Sequence, residues 1–194
     1  ALRQPIEAGN VHISRVKGNL VFPAKFTLVA AMNPCPCGFH KDDEKECRCA
    51  AHEVLRYQKK ISGPLLDRID LQINVPRIKV EDLQSNTRKN SGEAESARTR
   101  IEAARKIQRE RFANTDAKIL TNSEMSSRLC DDLIPLGAPE KQTLEMFIKK
   151  NHVSARGYYR LLKTARTIAD LELAPSVTSE HLLEAFSYRL RNEE

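Results

Sequence analysis

A run of seven residues, Phe26–Met32 (FTLVAAM), places the tightest limit on how this chain can fold. The run shows no alternation of apolar and polar side chains, and it ends at Asn33-Pro34, which is a loop signal. Such a continuous apolar run is typical of a central strand that is buried on both faces, as in a parallel sheet. We therefore expect a buried strand that belongs to an α/β domain.

Other segments near this run also predict regular structure. Val11–Arg15 alternates apolar and polar side chains, and a glycine-containing turn separates it from Leu20–Phe22, which predicts a β-hairpin. Leu71–Val75 predicts a second parallel-sheet strand, which Pro76 stops. Two short helices are expected between the strands, at Ala50–Lys60 and Leu65–Asp67.

Beyond residue 92 the pattern is helical throughout. Residues 77–92 are polar and end in Asn90-Ser91-Gly92, so we expect a linker there between an α/β segment at 1–76 and an all-helical domain at 93–194. The expected helices are Glu93–Phe112, Glu124–Leu133, Pro139–Lys150, a segment capped by Ser154 that runs to about Leu171, and His181–Leu190 after Thr178.

Four of the five cysteines lie within fifteen residues, as two C-x-C pairs: Cys35, Cys37, Cys47 and Cys49. Four thiolates are the right number and type of ligand for a closed, structural Zn²⁺ site, although C-x₂-C is the commoner spacing. His40 and His52 are spare ligands, and reduced cysteines without metal are the alternative. Because a secreted disulfide framework would spread its cysteines, the clustering favours a reducing, cytoplasmic compartment. Cys130 is expected to be a helix-packing residue.

The charge balance permits nucleic-acid or nucleotide binding without requiring it. The formal net charge is +6 and the isoelectric point is about 9.1, which simple solubility also explains. Aromatic residues make up only 5% of the chain and tryptophan is absent, which argues against a base-stacking platform. No run approaches the roughly 20 apolar residues of a membrane span.

The segment from Ser154 to Leu171 combines an apolar face with a cationic stripe. Arg156, Arg160 and Lys163 fall at i, i+4 and i+7, and Arg156 lies in the first turn. Cations beside the positive end of a helix attract phosphate, so Arg156 and Arg160 are candidate nucleotide contacts. A solvated basic face is the alternative.

Four blocks of the sequence resemble blocks of the magnesium-chelatase-like AAA+ ATPases of the ComM/YifB family, and they occur along the chain in the family's order. SARGYYRLLKTARTIADL resembles their sensor-2 helix, LVAAMNPCPCG their sensor-1 strand and loop, and SGPLLDRIDLQINVP their arginine-finger segment. LRQPIEAGNVHISR and FPAKF resemble the helix and hairpin that precede sensor 1. The resemblance covers nearly the whole chain.

The resemblance implies a role for several single residues. Asn33 would be the sensor-1 residue that orients the attacking water, and Arg68 would be the arginine finger that reaches a neighbouring subunit's ATP. Arg156 would be sensor 2, contacting phosphate in its own subunit. The alternatives are a turn asparagine before Pro34 for Asn33 and a salt bridge with Asp67 or Asp70 for Arg68.

The resemblance also implies partners for the complete protein. By this resemblance, the complete protein would bind ATP and Mg²⁺, form a hexameric ring of one subunit type, and remodel DNA as the members that act in branch migration during competence do. Arg15 and Lys17 at the hairpin tip would be candidate DNA contacts, and a solvated turn is the alternative.

One part of the family pattern is missing from this sequence. The chain has no G-x-x-x-x-G-K-[ST] phosphate loop and no apolar strand ending in Asp-Glu, and it opens Ala-Leu-Arg-Gln-Pro without a start methionine. We therefore expect the C-terminal part of a longer ATPase, inactive by itself. The competing hypothesis is a stand-alone zinc-binding interaction or nucleic-acid-binding module without an ATPase role.

Overall fold

The computed structural model describes residues 2–16, 18–78 and 91–189. Within these ranges no helix is long and apolar enough to cross a membrane. The chain divides into two compact units, which we call the N-terminal unit (Ala1–Ile69 and Asn74–Arg77) and the helical unit (Asp70–Ile73 and Ile78–Glu194). Most of the predicted linker at 77–92, from residue 79 to residue 90, lies outside the described residues.

The N-terminal unit contains the predicted hairpin. Strands β1 (Asn10–Arg15) and β2 (Gly18–Pro23) pair antiparallel with Val11 opposite Phe22. Helix α1 (Arg3–Ala8) precedes them and ends at Gly9, which takes a left-handed conformation with φ of 64° that costs glycine little. The two short helices are also confirmed, as α2 (Ala51–Gln58) and α3 (Gly63–Leu66).

The two expected parallel strands do not form in this structure, which is a correction to the prediction. Phe26–Met32 and Leu71–Val75 have no strand assignment, and their side chains are largely exposed, with Val29 at 89% and Ile73 at 68%. A strand needs neighbours to satisfy its backbone groups and cover its faces. Among the described residues only β1 and β2 pair, so these apolar segments have no sheet to join.

The helical unit confirms the five predicted helices with small shifts at their ends. The second begins late because Ser126 caps it, accepting a hydrogen bond from the Leu129 N–H at 3.2 Å, while residues 122–124 form a separate 3₁₀ turn. The helices are α4 (Ser91–Ala113), α5 (Ser127–Leu133), α6 (Ala138–Asn151), α7 (Ala155–Leu171) and α8 (Ser179–Ser187).

Helix α7 lies at the centre of this unit's core. Its buried residues Leu161, Ala165 and Ala169 recur at every fourth position, so they form one apolar stripe. The stripe belongs to a cluster that includes Leu182 of α8, and the Phe186 ring stacks on Phe147 with 3.6 Å between ring centroids. Burial of this stripe fixes the helix, because each fully buried leucine contributes roughly 1.5–3 kcal/mol.

A buried network of charged and polar side chains lies near the C-terminal end of α7. Asp170 is fully buried, and both of its oxygens accept hydrogen bonds from the Arg111 guanidinium. Asn122 donates to Asp170 at 2.8 Å and Arg166 donates at 3.0 Å. Arg166 also donates to the backbone carbonyls of Ala174 and Pro175 at 2.7 and 3.1 Å. One carboxylate thus holds together residues from α4, the 3₁₀ turn and α7.

The network determines the protonation state of Asp170. Burial alone would raise its pKa, but hydrogen bonds from Arg111 and Asn122 and the charge of Arg166 outweigh burial and hold the pKa below the usual value. The carboxylate is therefore ionised at neutral pH, and its removal would leave two guanidinium groups without a counter-charge.

Replacing this carboxylate should destabilise the helical unit strongly. We expect Asp170→Ala to lower the free energy of unfolding by about 3–5 kcal/mol, because it strands Arg111 and Arg166. Urea unfolding followed by circular dichroism at pH 7 measures this. Because the folded-state pKa lies below the unfolded value of about 3.9, the stabilisation is present above about pH 4 and is lost as the pH falls toward the folded-state value.

The matched control is Asp132→Ala. Asp132 is exposed and pairs with Arg128 across one helical turn at 3.9 Å, so its loss should cost less than about 0.5 kcal/mol. Equal effects of the two substitutions would contradict the structural role that we assign to Asp170.

Candidate metal centre and nucleotide-sensing residues

The four clustered cysteines form one compact group of sulfur atoms. Cys35 Sγ lies 3.4 Å from Cys37 Sγ and 3.7 Å from Cys47 Sγ, and Cys37 Sγ lies 3.6 Å from Cys47 Sγ. All four Sγ atoms, including that of Cys49, lie within 4.8 Å of one another. Tetrahedral zinc with bonds of about 2.3 Å separates its sulfur ligands by about 3.8 Å. The spacing therefore fits four-coordinate zinc.

Local backbone features bring the two C-x-C pairs together. A turn after Cys35 closes through the Gly38 N–H, which donates to the Cys35 carbonyl at 3.1 Å, and Gly38 has a φ of 84°. Farther along the loop, Asp42 accepts the N–H groups of Glu44 and Lys45 at 3.0 and 2.9 Å. The second pair then leads directly into α2.

Backbone N–H groups point at the sulfur atoms. The N–H groups of Phe39 and Arg48 lower the pKa of Cys37 to about 6. The N–H of Cys37 likewise lowers the pKa of Cys49, but burial and the neighbouring thiols outweigh it and raise that pKa to about 12. Four thiolates this close repel one another, and a bound divalent cation removes that repulsion. His40 and His52 are not part of this sulfur group, which the described residues form from cysteines alone.

Asn33 lies two residues before the first of these cysteines. Its side chain is exposed, directly after the Phe26–Met32 segment that was expected to be a buried strand. Nearby, the Gln58 side chain of α2 donates to the Pro34 carbonyl at 3.1 Å, which joins the end of this stretch to α2.

Arg68 follows helix α3 and is held by the N-terminal unit. Its guanidinium donates to Glu7 of α1 through Nε at 3.0 Å and through Nη2 at 2.5 Å, and its Nη1 donates to the Pro64 carbonyl. The side chain is only 13% exposed. The salt bridge with Glu7 spans 61 positions, and the sequence contained no signal for it.

The cationic stripe formed by Arg156, Arg160 and Lys163 lies on one face of α7, as its spacing predicted. Arg160 forms an ion pair with Asp70 at 2.5 Å, and Lys163 donates to the Ser123 carbonyl at 3.1 Å. Burial lowers the pKa of Lys163. Arg156 is exposed in the first turn, beside Ser154, whose hydroxyl accepts the Gly157 N–H at 3.1 Å.

At the hairpin tip, Arg15 is exposed at the end of β1. Lys17, the other candidate DNA contact, lies outside the described residues.

Comparison with known proteins matches both parts of the chain. The family model of magnesium chelatase subunit ChlI matches residues 1–83, and that of the ChlI C-terminal region matches residues 91–189. The competence protein ComM of Haemophilus influenzae is 39% identical over 189 residues, and the protein YifB of Salmonella typhimurium is 37% identical over 189 residues. A protein of Mycobacterium tuberculosis is 34% identical over 190 residues.

These matches, with the helical unit and the cationic stripe of α7, define the chain as magnesium-chelatase-like. Each alignment covers 97% of this chain but only 35–36% of the relative, so the chain spans about a third of the length of the curated relatives that it matches. The chain belongs to the ComM/YifB family, which confirms the resemblance seen in the sequence.

The Asp70–Arg160 ion pair should be measurable as a coupling energy. We expect a double-mutant cycle with Asp70→Ala and Arg160→Ala to give about 0.5–1 kcal/mol in thermal or urea unfolding, because the Arg160 side chain is mostly buried while Asp70 is half-exposed. The same cycle at the exposed Arg128–Asp132 pair should give less. A coupling of zero at Asp70–Arg160 would show that the pair does not stabilise the protein.

Proposed function

We propose that this chain is the nucleotide-sensing and subunit-contacting part of a ring-forming, hexameric AAA+ ATPase that remodels DNA. Arg156 carries the proposal: it is exposed in the first turn of a capped helix whose opposite face is buried in the core. A cation at a helix N-terminus, where N–H groups also point outward, suits a phosphate. Membership of the ComM/YifB family supports it.

The phosphate cradle and the Mg²⁺ ligands would come from elsewhere in the complete ATPase. We propose that residues 1–76 complete an α/β nucleotide-binding domain, with 77–92 as linker and 93–194 as helical lid. The exposed apolar segments at Phe26–Met32 and Leu71–Val75 support this, because each has the composition of a strand and lacks a sheet among the described residues. Asn33 would then end a central strand beside the γ-phosphate and orient the attacking water.

Arg68 would act on the neighbouring subunit. Glu7 binds the Arg68 guanidinium. Arg68 would therefore either leave Glu7 to reach a phosphate or contact Glu7 and the phosphate together in the assembled ring. An arginine finger stabilises negative charge on the transferred phosphoryl group and contributes roughly 10³–10⁵ in rate in other NTPases. Arg160 pairs with Asp70 and would contact nucleotide only after leaving that partner.

The assignments of Arg68 and Arg156 can be separated by mixing subunits of the complete ATPase. Arg68→Ala subunits should bind ATP and lose roughly 10³-fold or more in hydrolysis, because their neighbours lack a finger. Mixed with phosphate-loop mutant subunits, they should regain activity wherever an intact loop meets a donated Arg68. Arg156→Ala subunits in the same mixture should regain none, because no subunit then has both cis elements.

Arg128→Ala is the control, since this exposed arginine of α5 pairs only weakly with Asp132 and should leave hydrolysis unchanged. Recovery with Arg156→Ala but not with Arg68→Ala would reverse the two roles. The chain alone, without a phosphate loop, should not hydrolyse ATP.

We propose in addition that Cys35, Cys37, Cys47 and Cys49 hold one structural zinc ion. The sulfur spacing, and the four cysteines that alone make up the group among the described residues, support a closed site, which would stabilise the loop between Pro34 and α2. This geometry is also what favours the second candidate function, a zinc-binding module without an ATPase role.

Elemental analysis should therefore find about one zinc per chain in protein purified without chelator. Cys37→Ser should lower this to near zero, because it removes a ligand, while Cys130→Ser should leave it unchanged, because Cys130 is buried in the helical unit. Metal-free protein with four freely titratable thiols at this site would disprove the zinc site.

A further inference from the structure

A basic groove lies along α2, immediately after the cysteine cluster. It has a volume of about 410 Å³, and its lining residues are His52, Leu55, Arg56, Lys59 and Lys60. Their spacing of three and four positions places them on one face of the helix and the turn that follows it. Val54, on another face of the helix, is buried and anchors α2 to the N-terminal unit.

The charges of this groove are not neutralised within the part of the chain that the structure describes. Arg56, Lys59 and Lys60 have no carboxylate partner there; Lys60 lies 5.6 Å from the Tyr57 ring centroid. By contrast, Arg68 is paired with Glu7 and Arg160 with Asp70. The one acidic residue of α2, Glu53, accepts the Ala50 N–H at 2.9 Å at the start of the helix.

We propose that this groove binds the phosphate backbone of DNA. Three cations close together along this groove concentrate positive potential there. Neighbouring side chains on a helix face are about 5–6 Å apart, so the three cations form a row along α2 that can contact successive phosphates. Beside its three cations the groove lining offers only Leu55, which is 55% exposed, and the ring of His52, so a free nucleotide would be held mainly through its phosphates.

The same composition predicts binding without sequence preference. Base edges are read by amide side chains and by bidentate arginine in the major groove, whereas contacts to phosphate position the protein without reading sequence. The groove lining contains no asparagine or glutamine, and we assign its one arginine, Arg56, to phosphate together with Lys59 and Lys60. The inference rests on the part of the proposed function that names DNA as a partner, and it assigns the contact to α2 in addition to the hairpin.

Fluorescence anisotropy with a labelled 30-base-pair DNA duplex tests this on the whole 194-residue chain, without nucleotide. The groove variant Arg56→Ala/Lys59→Ala/Lys60→Ala should bind at least tenfold more weakly than the unmodified chain in 50 mM salt. The slope of log K against log salt should fall by about 2–3, because each lost phosphate contact lowers it by roughly 0.9. A duplex of unrelated sequence should give the same result.

The matched control is Lys141→Ala/Lys149→Ala/Lys150→Ala, which removes the same charge from exposed positions of α6. Equal losses in the two triple variants would overturn the proposal, since net charge alone would then explain binding. Circular dichroism should show both variants folded, and Arg56→Lys/Lys59→Arg/Lys60→Arg should retain affinity.

Two further outcomes separate this inference from the proposed function. If Arg15→Ala abolishes binding and the groove variant does not, the hairpin assignment stands and the groove proposal is wrong. If the unmodified chain binds no DNA in 50 mM salt, the groove proposal is wrong while the subunit-mixing assignments of Arg68 and Arg156 are unaffected. Polyglutamate at the same charge concentration should not displace the DNA. If it does, the groove has no preference for nucleic acid and the proposal of a DNA site is wrong.

Discussion

The helical unit depends on one buried carboxylate, that of Asp170. It receives hydrogen bonds from Arg111, Asn122 and Arg166, which belong to α4, the 3₁₀ turn and α7. Because Arg166 also binds the carbonyls after α7, the same group fixes where the chain turns toward α8. Arg156 and Asp170 lie on the same helix, fourteen positions or about 21 Å apart, so the network also fixes the exposed end that carries the proposed phosphate contact.

Local features of the sequence were enough to predict the helices and the cysteine cluster. Ser154 and Thr178 accept backbone N–H groups in the positions expected of caps, because capping depends only on residues three positions away. The four cysteines come together because a fifteen-residue loop can bring its ends close at little entropic cost. In these cases the contacts that decide the structure are close in sequence.

Pairs that are distant in sequence could not be predicted in this way. In the sequence, Arg111 and Asp170 look like ordinary charged residues of helices. They are 59 positions apart and yet form a hydrogen-bonded ion pair. One signal was available: Asp170 directly follows the buried stripe residue Ala169, where an unpaired carboxylate would be costly. The strands at Phe26–Met32 and Leu71–Val75 failed for a related reason, because an apolar run defines a face to bury but cannot supply the neighbouring strands.

The cysteine cluster precedes α2, whereas the cations of the basic groove (Arg56, Lys59 and Lys60) lie toward the other end of the helix. Four thiolates with one divalent cation would carry a net charge of −2, and Cys49 lies two residues before the helix begins, where the helix dipole favours negative charge. Lys59 and Lys60 follow the other end, about 12 Å along an eight-residue helix. Since the Debye length is about 8 Å at physiological ionic strength, the thiolates would cancel little of the groove's positive potential. Metal binding would thus fix the start of α2 and leave its cationic end available for phosphate.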